Sequence, residues 1–476
     1  MEFRNLTPFP AIAFDGLDQH DQRFHVVAMR LTFELQDDGT LALAPLQTPL
    51  ATTDEFYGEL NRSSVRQESD LAPYKPRTDV IVVADACAPQ GRASKQFAVA
   101  LQINSAPTTP DLPPEPYGLN PTYHASPERM AEWREQCTRL TAQAREGVPL
   151  LRKVLVIKGA REWRRRSFTT RALSMFTLAP WKLTAPTPVT MLPLRYEYAF
   201  GGENRILVND QAAGRTSNKN RLPGRIPQPG NAKAGDSPEA IAHSVCEQNP
   251  VGRGFAERWY VQAARPARMP APQIEAPGQP IARFGKPCAP QGFGVVGRAW
   301  QPRRALAGTY DQRWLQERHP NLPADFDFAY WNGAPADQQV TPHLRGDEQI
   351  TLLNLCPEGA ATTRDASGNT RLSFALPGHL PFVLVRFQDG GIGELAARLD
   401  TLIIDSALEA GNPEKKISIV CVWRATVASD PGVRVLEARM LAHADVVAMR
   451  DPAQRNKPAP APHLAIVPKH ETPPTA

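Results

Sequence analysis

From Phe24 to Leu35 the chain reads FHVVAMRLTFEL. His25, Val27, Met29, Leu31, Phe33 and Leu35 fall on one side of a two-residue period, with Val26, Ala28, Arg30, Thr32 and Glu34 on the other. This alternation predicts a half-buried strand. A turn centred on Asp38-Gly39 follows and Leu41 and Leu43 resume the period, which predicts a hairpin. TDVIVVADACA and KQFAVALQIN predict another strand pair around the turn PQGRAS. Toward the C-terminus the same grammar recurs in EQITLLNL, TRLSFALPG, FVLVRF, LDTLIID and ISIVCVWRATV, with turn material such as DASGN and QDGGIG between runs. Short strands at regular spacing predict a mainly β protein of antiparallel, sandwich-like sheets rather than βαβ units.

One segment changes period. SPERMAEWREQCTRLTAQAREG starts with Ser126 as N-cap and Pro127 at the first helical position, and it stops at Gly147. Met130, Trp133, Cys137, Leu140 and Ala144 recur at spacings of three and four, one apolar stripe of a helix. Its stripe is read as packing on its own domain, with a partner-binding face as the alternative. The approach, SAPTTPDLPPEPYGLNP, is a proline-rich surface loop. The resulting organisation is a β-rich N-terminal lobe over 1–205 with a Pro-rich and helical insertion at about 104–148, a loop-rich connection over 206–290, a β-rich C-terminal lobe over 291–450, and a flexible Pro-rich tail over 451–476.

Composition sharpens this picture in two ways. The 48 prolines are about twice the ordinary share, which favours short elements joined by rigid turns. A net charge of +5 over 476 residues is too small to argue for nucleic-acid binding without a focused patch. The best patch, AREWRRRSF, is read as a solvated strand edge or loop rather than a phosphate site. Nothing approaches the length of a membrane span, and MEFRNLTPFP has no apolar signal region, so a cytoplasmic protein is expected. Six scattered cysteines form no C-x-x-C pair, and neither a metal nor a cofactor is expected.

The candidate chemistry is sparse. Gly292-x-Gly294-x-x-Gly297 has the spacing of a dinucleotide loop, but GKPCAP before it is no strand and Pro302 interrupts any helix after it. The pairs Glu68/Asp70 and Asp325/Asp327 have the residue types for acid–base or metal chemistry, yet no third ligand accompanies them. They are read as salt-bridge partners of Arg66, Lys75, Arg77 or Arg318. What stands out is a concentration of aromatics and arginines between 298 and 331. Trp300, Arg303, Tyr310, Trp314, Tyr330 and Trp331 are of the types enriched at protein interfaces, and equally of the types that form internal aromatic and cation–π clusters. With Met130 and Trp133 they are the candidate protein-interaction residues.

SSVRQESDLAPYKPRTDVIVV, PLRYEYAFGG, NPVGRGF, FGVVGRAWQPRRALAGTYDQRWLQERHPNLPADFDFAYWNGAPADQQ and LRGDEQ resemble, in order, the signature blocks of the domain of unknown function 2169 family. The resemblance runs to about Trp423. It implies a non-enzymatic, cytoplasmic adaptor or chaperone that binds a type VI secretion effector and helps load it onto a VgrG or PAAR spike component. No functional residues are carried over. The alternatives are a hydrolase of a cell-envelope polymer using Glu68 and Asp70, and a structural component of the secretion machine. Where the family resemblance leads to expect a short connection between two strands, this chain carries the proline-rich loop and helix, which points to a role in selecting the effector.

Overall fold

The computed structural model describes residues 1–60, 62–108, 112–114, 116, 127–175, 179–223, 240–409, 412 and 415–441. The N-cap expected at Ser126 and the tail from 451 lie outside the described residues.

Three sheets enclose one core. The main sheet runs, in spatial order, through Ala11–Leu17, Arg23–Leu35, Ser418–Ala428, Arg398–Asp405, Thr78–Val83 and Gln339–Val340, and Leu41–Leu43 pairs with Arg23–Leu35 as the hairpin pattern predicts. Only its Arg398–Asp405/Thr78–Val83 pair is parallel. A second, fully antiparallel sheet takes Ile274–Glu275, Pro149–Lys158, Gln96–Asn104, Gln349–Leu353, Thr370–Ala375 and Thr362–Arg364. The third contains Glu2–Asn5, Val433–Leu441, Leu380–Phe387 and Ile392–Ala396. The mainly antiparallel β architecture is therefore as the periodicity predicts.

Period two decides what enters the core. In Gln96–Asn104 every second residue, Phe97, Val99, Leu101 and Ile103, is buried. These meet Met29, Leu31 and Phe33, Val80 and Val82, and Cys421 and Trp423 from the inner face of the main sheet in one cluster. Removing a side chain such as Leu101 leaves a cavity and costs about 2–5 kcal/mol.

Several local expectations change on folding. Arg23–Leu35 is buried on both faces, not one, because loops cover its Arg30 and Thr32 side. Thr78–Val83 and Gln96–Asn104 do not pair with each other: the first enters the main sheet and the second the neighbouring sheet. The arginine-rich Glu162–Arg165 is the central strand of a three-stranded sheet, flanked by Trp181–Leu183 and Arg268–Pro270, rather than an edge. The connection over 206–290 includes a strand, Ala240–Val245, antiparallel to Glu203–Leu207, and a small core that contains Ile206, Ile241, Ala242 and Ala263.

Both ends of the chain build the same sheets. Ser418–Ala428 is inserted between Arg23–Leu35 and Arg398–Asp405, so segments 1–205 and 291–450 interleave. A fragment ending at residue 205 is expected to lack a cooperative thermal transition, while the full chain shows one. Calorimetry and far-UV circular dichroism check this; cooperative melting of the fragment alone contradicts it.

Candidate functional site

The outward face of the main sheet carries charge where a sheet usually meets solvent or a helix. Arg30, Asp79, Asp400 and Arg424 lie inside or at the bends of strands and are buried. Over them lie the chain segments around 44–75 and 293–334, which contain little regular structure. Apolar contacts flank the charges on both sides: Val65, Val295 and Ala334 on Ile81 and Val422, and Tyr74, Phe326 and Phe328 on Phe24 and Val26.

Glu68, Asp70 and Asp79 each tie a loop to the sheet or to another loop. Glu68 accepts two bonds from Arg303, at 2.6 and 2.9 Å, the bidentate geometry of the strongest such pairs. Arg303 also donates to the carbonyls of Tyr330 (2.6 Å) and Val296 (2.8 Å), joining three stretches of the covering layer. Asp70 accepts from Arg30 at 2.7 Å and from the amide of Ala51 at 2.8 Å. Asp79 accepts from Lys75 (2.9 Å), Asn332 (3.0 Å) and the amides of Gly333 (2.9 Å) and Ala334 (3.1 Å). Arg424 bridges Asp400 at 2.5 Å and the carbonyl of Asp70 at 2.9 Å. Salt bridges are expected on Glu68, Asp70, Asp325 and Asp327, but the cations that meet Glu68 and Asp70 are not those expected. Arg66 instead pairs with Asp405, Lys75 with Asp79 and Arg318 with Asp21, while Arg77 bonds to Gln339. Asp325 holds Thr309, and Asp327 caps the turn of helix at Phe328–Trp331.

The predicted interaction residues divide into four groups. Trp300 is buried edge-on against Tyr196 (5.5 Å), and Arg303 is buried in the ionic layer. Tyr330 and Trp331 are half-buried, edge-on to each other at 5.5 Å, with the Arg298 guanidinium 5.3 Å from the Trp331 ring. Tyr310 is exposed and packs on Trp314 at 4.7 Å, while the Trp314 indole donates to the carbonyl of Asn321. Met130 and Trp133 lie elsewhere, on the helix Pro127–Glu146, both half-buried. Two surface clefts border this region. One, of about 480 Å³, is lined by Asp54, Phe56, Leu60, Arg298 and Trp300; the other, of about 520 Å³, by Phe14, Leu71, Leu322 and Trp331.

The glycine motif lies in a loop with no strand directly before it, and only a short 3-10 helix, Arg303–Ala307 with Pro302 at its N-cap, follows it. A Cβ on Gly292 or Gly297 would stand 3.0 Å from the Tyr196 or Trp300 ring, so both glycines serve close packing. Among the described residues no group of three or more His, Cys, Asp or Glu is placed to hold a metal ion. Burial pushes the thiols of Cys87 and Cys288 up to about 11 and that of Cys356 to about 12, so at neutral pH they stay protonated and weakly nucleophilic. No helix of the described residues is long and apolar enough to cross a membrane.

Replacing Arg303 by Met leaves Glu68 buried with Arg298, 3.2 Å away, in place of its bidentate partner, and is expected to cost up to about 3–5 kcal/mol in denaturant unfolding. The double variant E68L/R303M, which removes both charges, is expected to recover most of that loss. Equal destabilisation by R303M and by the pair contradicts this account.

A family model described as an uncharacterized protein conserved in bacteria (DUF2169) matches residues 20–112 and 130–412. The unmatched residues 113–129 fall inside the proline-rich loop and the first turn of the helix. No curated protein and no solved structure matches the chain. The match covers Arg23–Leu35, Thr78–Val83 and Arg398–Asp405 of the main sheet, the whole second sheet and the ionic layer except Arg424, which lies beyond it on Ser418–Ala428, and on that extent the chain belongs to the domain of unknown function 2169 family.

Proposed function

We propose that this protein is a non-enzymatic adaptor or chaperone that acts in the cytoplasm, binds a type VI secretion effector and helps load it onto a VgrG or PAAR spike component. The family resemblance supplies the secretion context. The observation that carries a binding role is the insertion between two paired strands. Gln96–Asn104 and Pro149–Lys158 are antiparallel neighbours, with Asn104 opposite Pro149, so the chain between them leaves and re-enters the sheet at one place. Its helix Pro127–Glu146 presents Met130, Trp133, Cys137, Leu140 and Ala144 half-buried, with no described side chain fully covered.

The insertion is anchored at its base. Asn104 donates to the carbonyl of Glu146 at 2.8 Å, and the Thr108 amide donates to Ala144 at 3.0 Å. Gly147 closes the helix at φ +69°, where a Cβ would overlap the Ser105 carbonyl. Trp133 donates to Pro113 at 2.9 Å, holding the helix on its own loop. A stripe that is ordered yet half-exposed offers contact area at low ordering cost. Binding the cargo's exposed apolar surface would shift its folding equilibrium by mass action.

The hydrolase alternative needed Glu68 and Asp70 free to meet a substrate. Their engagement with Arg303 and Arg30 favours the adaptor reading over it.

The first test is affinity purification of the tagged protein from cells expressing the secretion genes. One toxin-like protein together with a VgrG or PAAR component is expected; recovery of the protein alone contradicts the proposal. A variant with residues 106–147 replaced by a short turn is expected to keep its circular dichroism and melting profile while losing effector binding by about tenfold or more, roughly 1.4 kcal/mol. Unchanged binding removes the insertion from the interface.

A further inference from the structure

We infer that the three-stranded sheet around Trp163, with the segment 166–175 that follows its central strand, is a docking surface for an acidic amphipathic helix of a partner protein. The inference rests on the adaptor reading for the partner being a protein; the surface itself stands on two independent observations.

The first is a row of cations. Arg164 on the central strand sits opposite Lys182 on one neighbour and opposite Arg268 on the other, so three cations share one face of the sheet. All three are exposed. Like charges directly opposite each other destabilise a sheet. Glu162 offsets part of this, 2.6 Å from Arg164 and 3.7 Å from Arg268.

The second observation is apolar. Phe168, Leu173 and Met175 are 74%, 88% and 86% exposed within eight residues of chain. Isolated surface hydrophobics need no explanation, but three large ones in the residues directly after the cation-bearing central strand give a stretch of mixed chemistry. The short helix Phe168–Leu173 buries none of its residues, yet it is held in place: Ser167 caps it by accepting from the Thr170 amide, and the Arg166 amide donates to Pro180. On the opposite face of the sheet Trp163 is buried and Phe284 stacks on Trp181 at 4.0 Å, edge-on to Trp163. The support is therefore packed, and the three cations of the other face are exposed.

Geometry selects the occupant. Neighbouring strands lie about 4.8 Å apart, and side chains three or four apart on a helix lie about 5–6 Å apart. Carboxylates at i, i+3 or i+4, and i+7 of a helix crossing the strands thus match Lys182, Arg164 and Arg268 in turn. An adjoining Leu or Phe stripe on that helix meets Phe168, Leu173 and Met175. Guanidinium groups favour directional pairing with carboxylates. A nucleic-acid backbone would satisfy the cations but leave the apolar trio in water.

The test uses the full chain and a labelled synthetic helix of about 18 residues, some 27 Å long, with Glu at those positions and a Leu/Phe stripe beside them. Its controls are the same helix with Lys for Glu, phosphatidylglycerol vesicles, a DNA duplex and the free protein's oligomeric state. Binding of the Glu helix by fluorescence anisotropy is expected, weakening as salt rises from about 0.05 to 0.5 M. The charge reversal R164E/K182E/R268E is expected to weaken binding by about tenfold or more. L173S/M175S is expected to do so with an unchanged salt dependence. All these side chains are exposed, and circular dichroism verifies the fold of each variant. Equal binding of the Lys helix, binding of vesicles or DNA in place of the Glu helix, or a dimer abolished by the same substitutions overturns the inference. Loss of helix binding in a variant that still co-purifies with its effector removes this surface from cargo binding and leaves the adaptor reading standing. A wild-type protein that binds the helix but captures no effector does the reverse.

Discussion

The organising interaction is the set of buried ion pairs between the main sheet and its covering loops. Two segments, around 44–75 and 293–334, lie on the sheet with little helix or strand of their own. Backbone N–H and C=O groups buried in such a layer need partners. Asp79, Asp70 and Arg303 supply them, each binding both an opposite charge and main-chain groups. Burying these charges is costly, and well-packed apolar residues would serve stability as well or better. What charge adds is direction: a guanidinium fork and a carboxylate meet in few geometries, so each loop has one seat. The apolar clusters on either side keep water from competing for the same groups.

This arrangement explains which parts of the fold were legible in the sequence. Strands such as Gln96–Asn104 and Thr370–Ala375 bury every second residue, so their period appears directly in the residue types. Arg23–Leu35 misleads because its second face looks polar through Arg30 and Thr32, whose partners lie about 40 and 16 residues away in the chain. Pairing partners across hundreds of residues, as between His25 and Val427, leave no local mark. The signal available was a charge inside an apolar run: Arg30 in VVAMRLTF, Asp79 in TDVIVV and Arg424 in VCVWRATV. A charge there demands a buried partner. Its identity comes only from the fold, which is why Glu68 was assigned to nearby cations and found with Arg303.

The candidate aromatic and arginine residues were read as either an interface or an internal cluster, and they occupy different situations. Trp300 and Arg303 lie inside the covering layer, whereas Tyr310 stands exposed beside Trp314. The family match runs through the interior network as far as Asp400, lapses over 113–129 in the proline-rich loop, and resumes at Met130, so all but the first turn of the helix Pro127–Glu146 lies within it. A frame whose internal lapse falls in a surface loop is the form expected where a common scaffold serves different partners, since loops change more readily than the elements that hold them. The insertion and the basic, apolar patch at 162–175 and 181–182 both lie outside the ionic layer, so partner contacts at either leave the frame intact.

The central claim is that this covering layer is held as firmly as the sheet beneath it. Hydrogen exchange resolved to single amides tests it most directly. The amides of Ala51, Gly333 and Ala334, which donate to Asp70 and Asp79, should exchange within about tenfold of those of Cys421 and Val422 in the central strand. Exchange of the three loop amides at the rate of an unprotected chain, with the strand still protected, would contradict it.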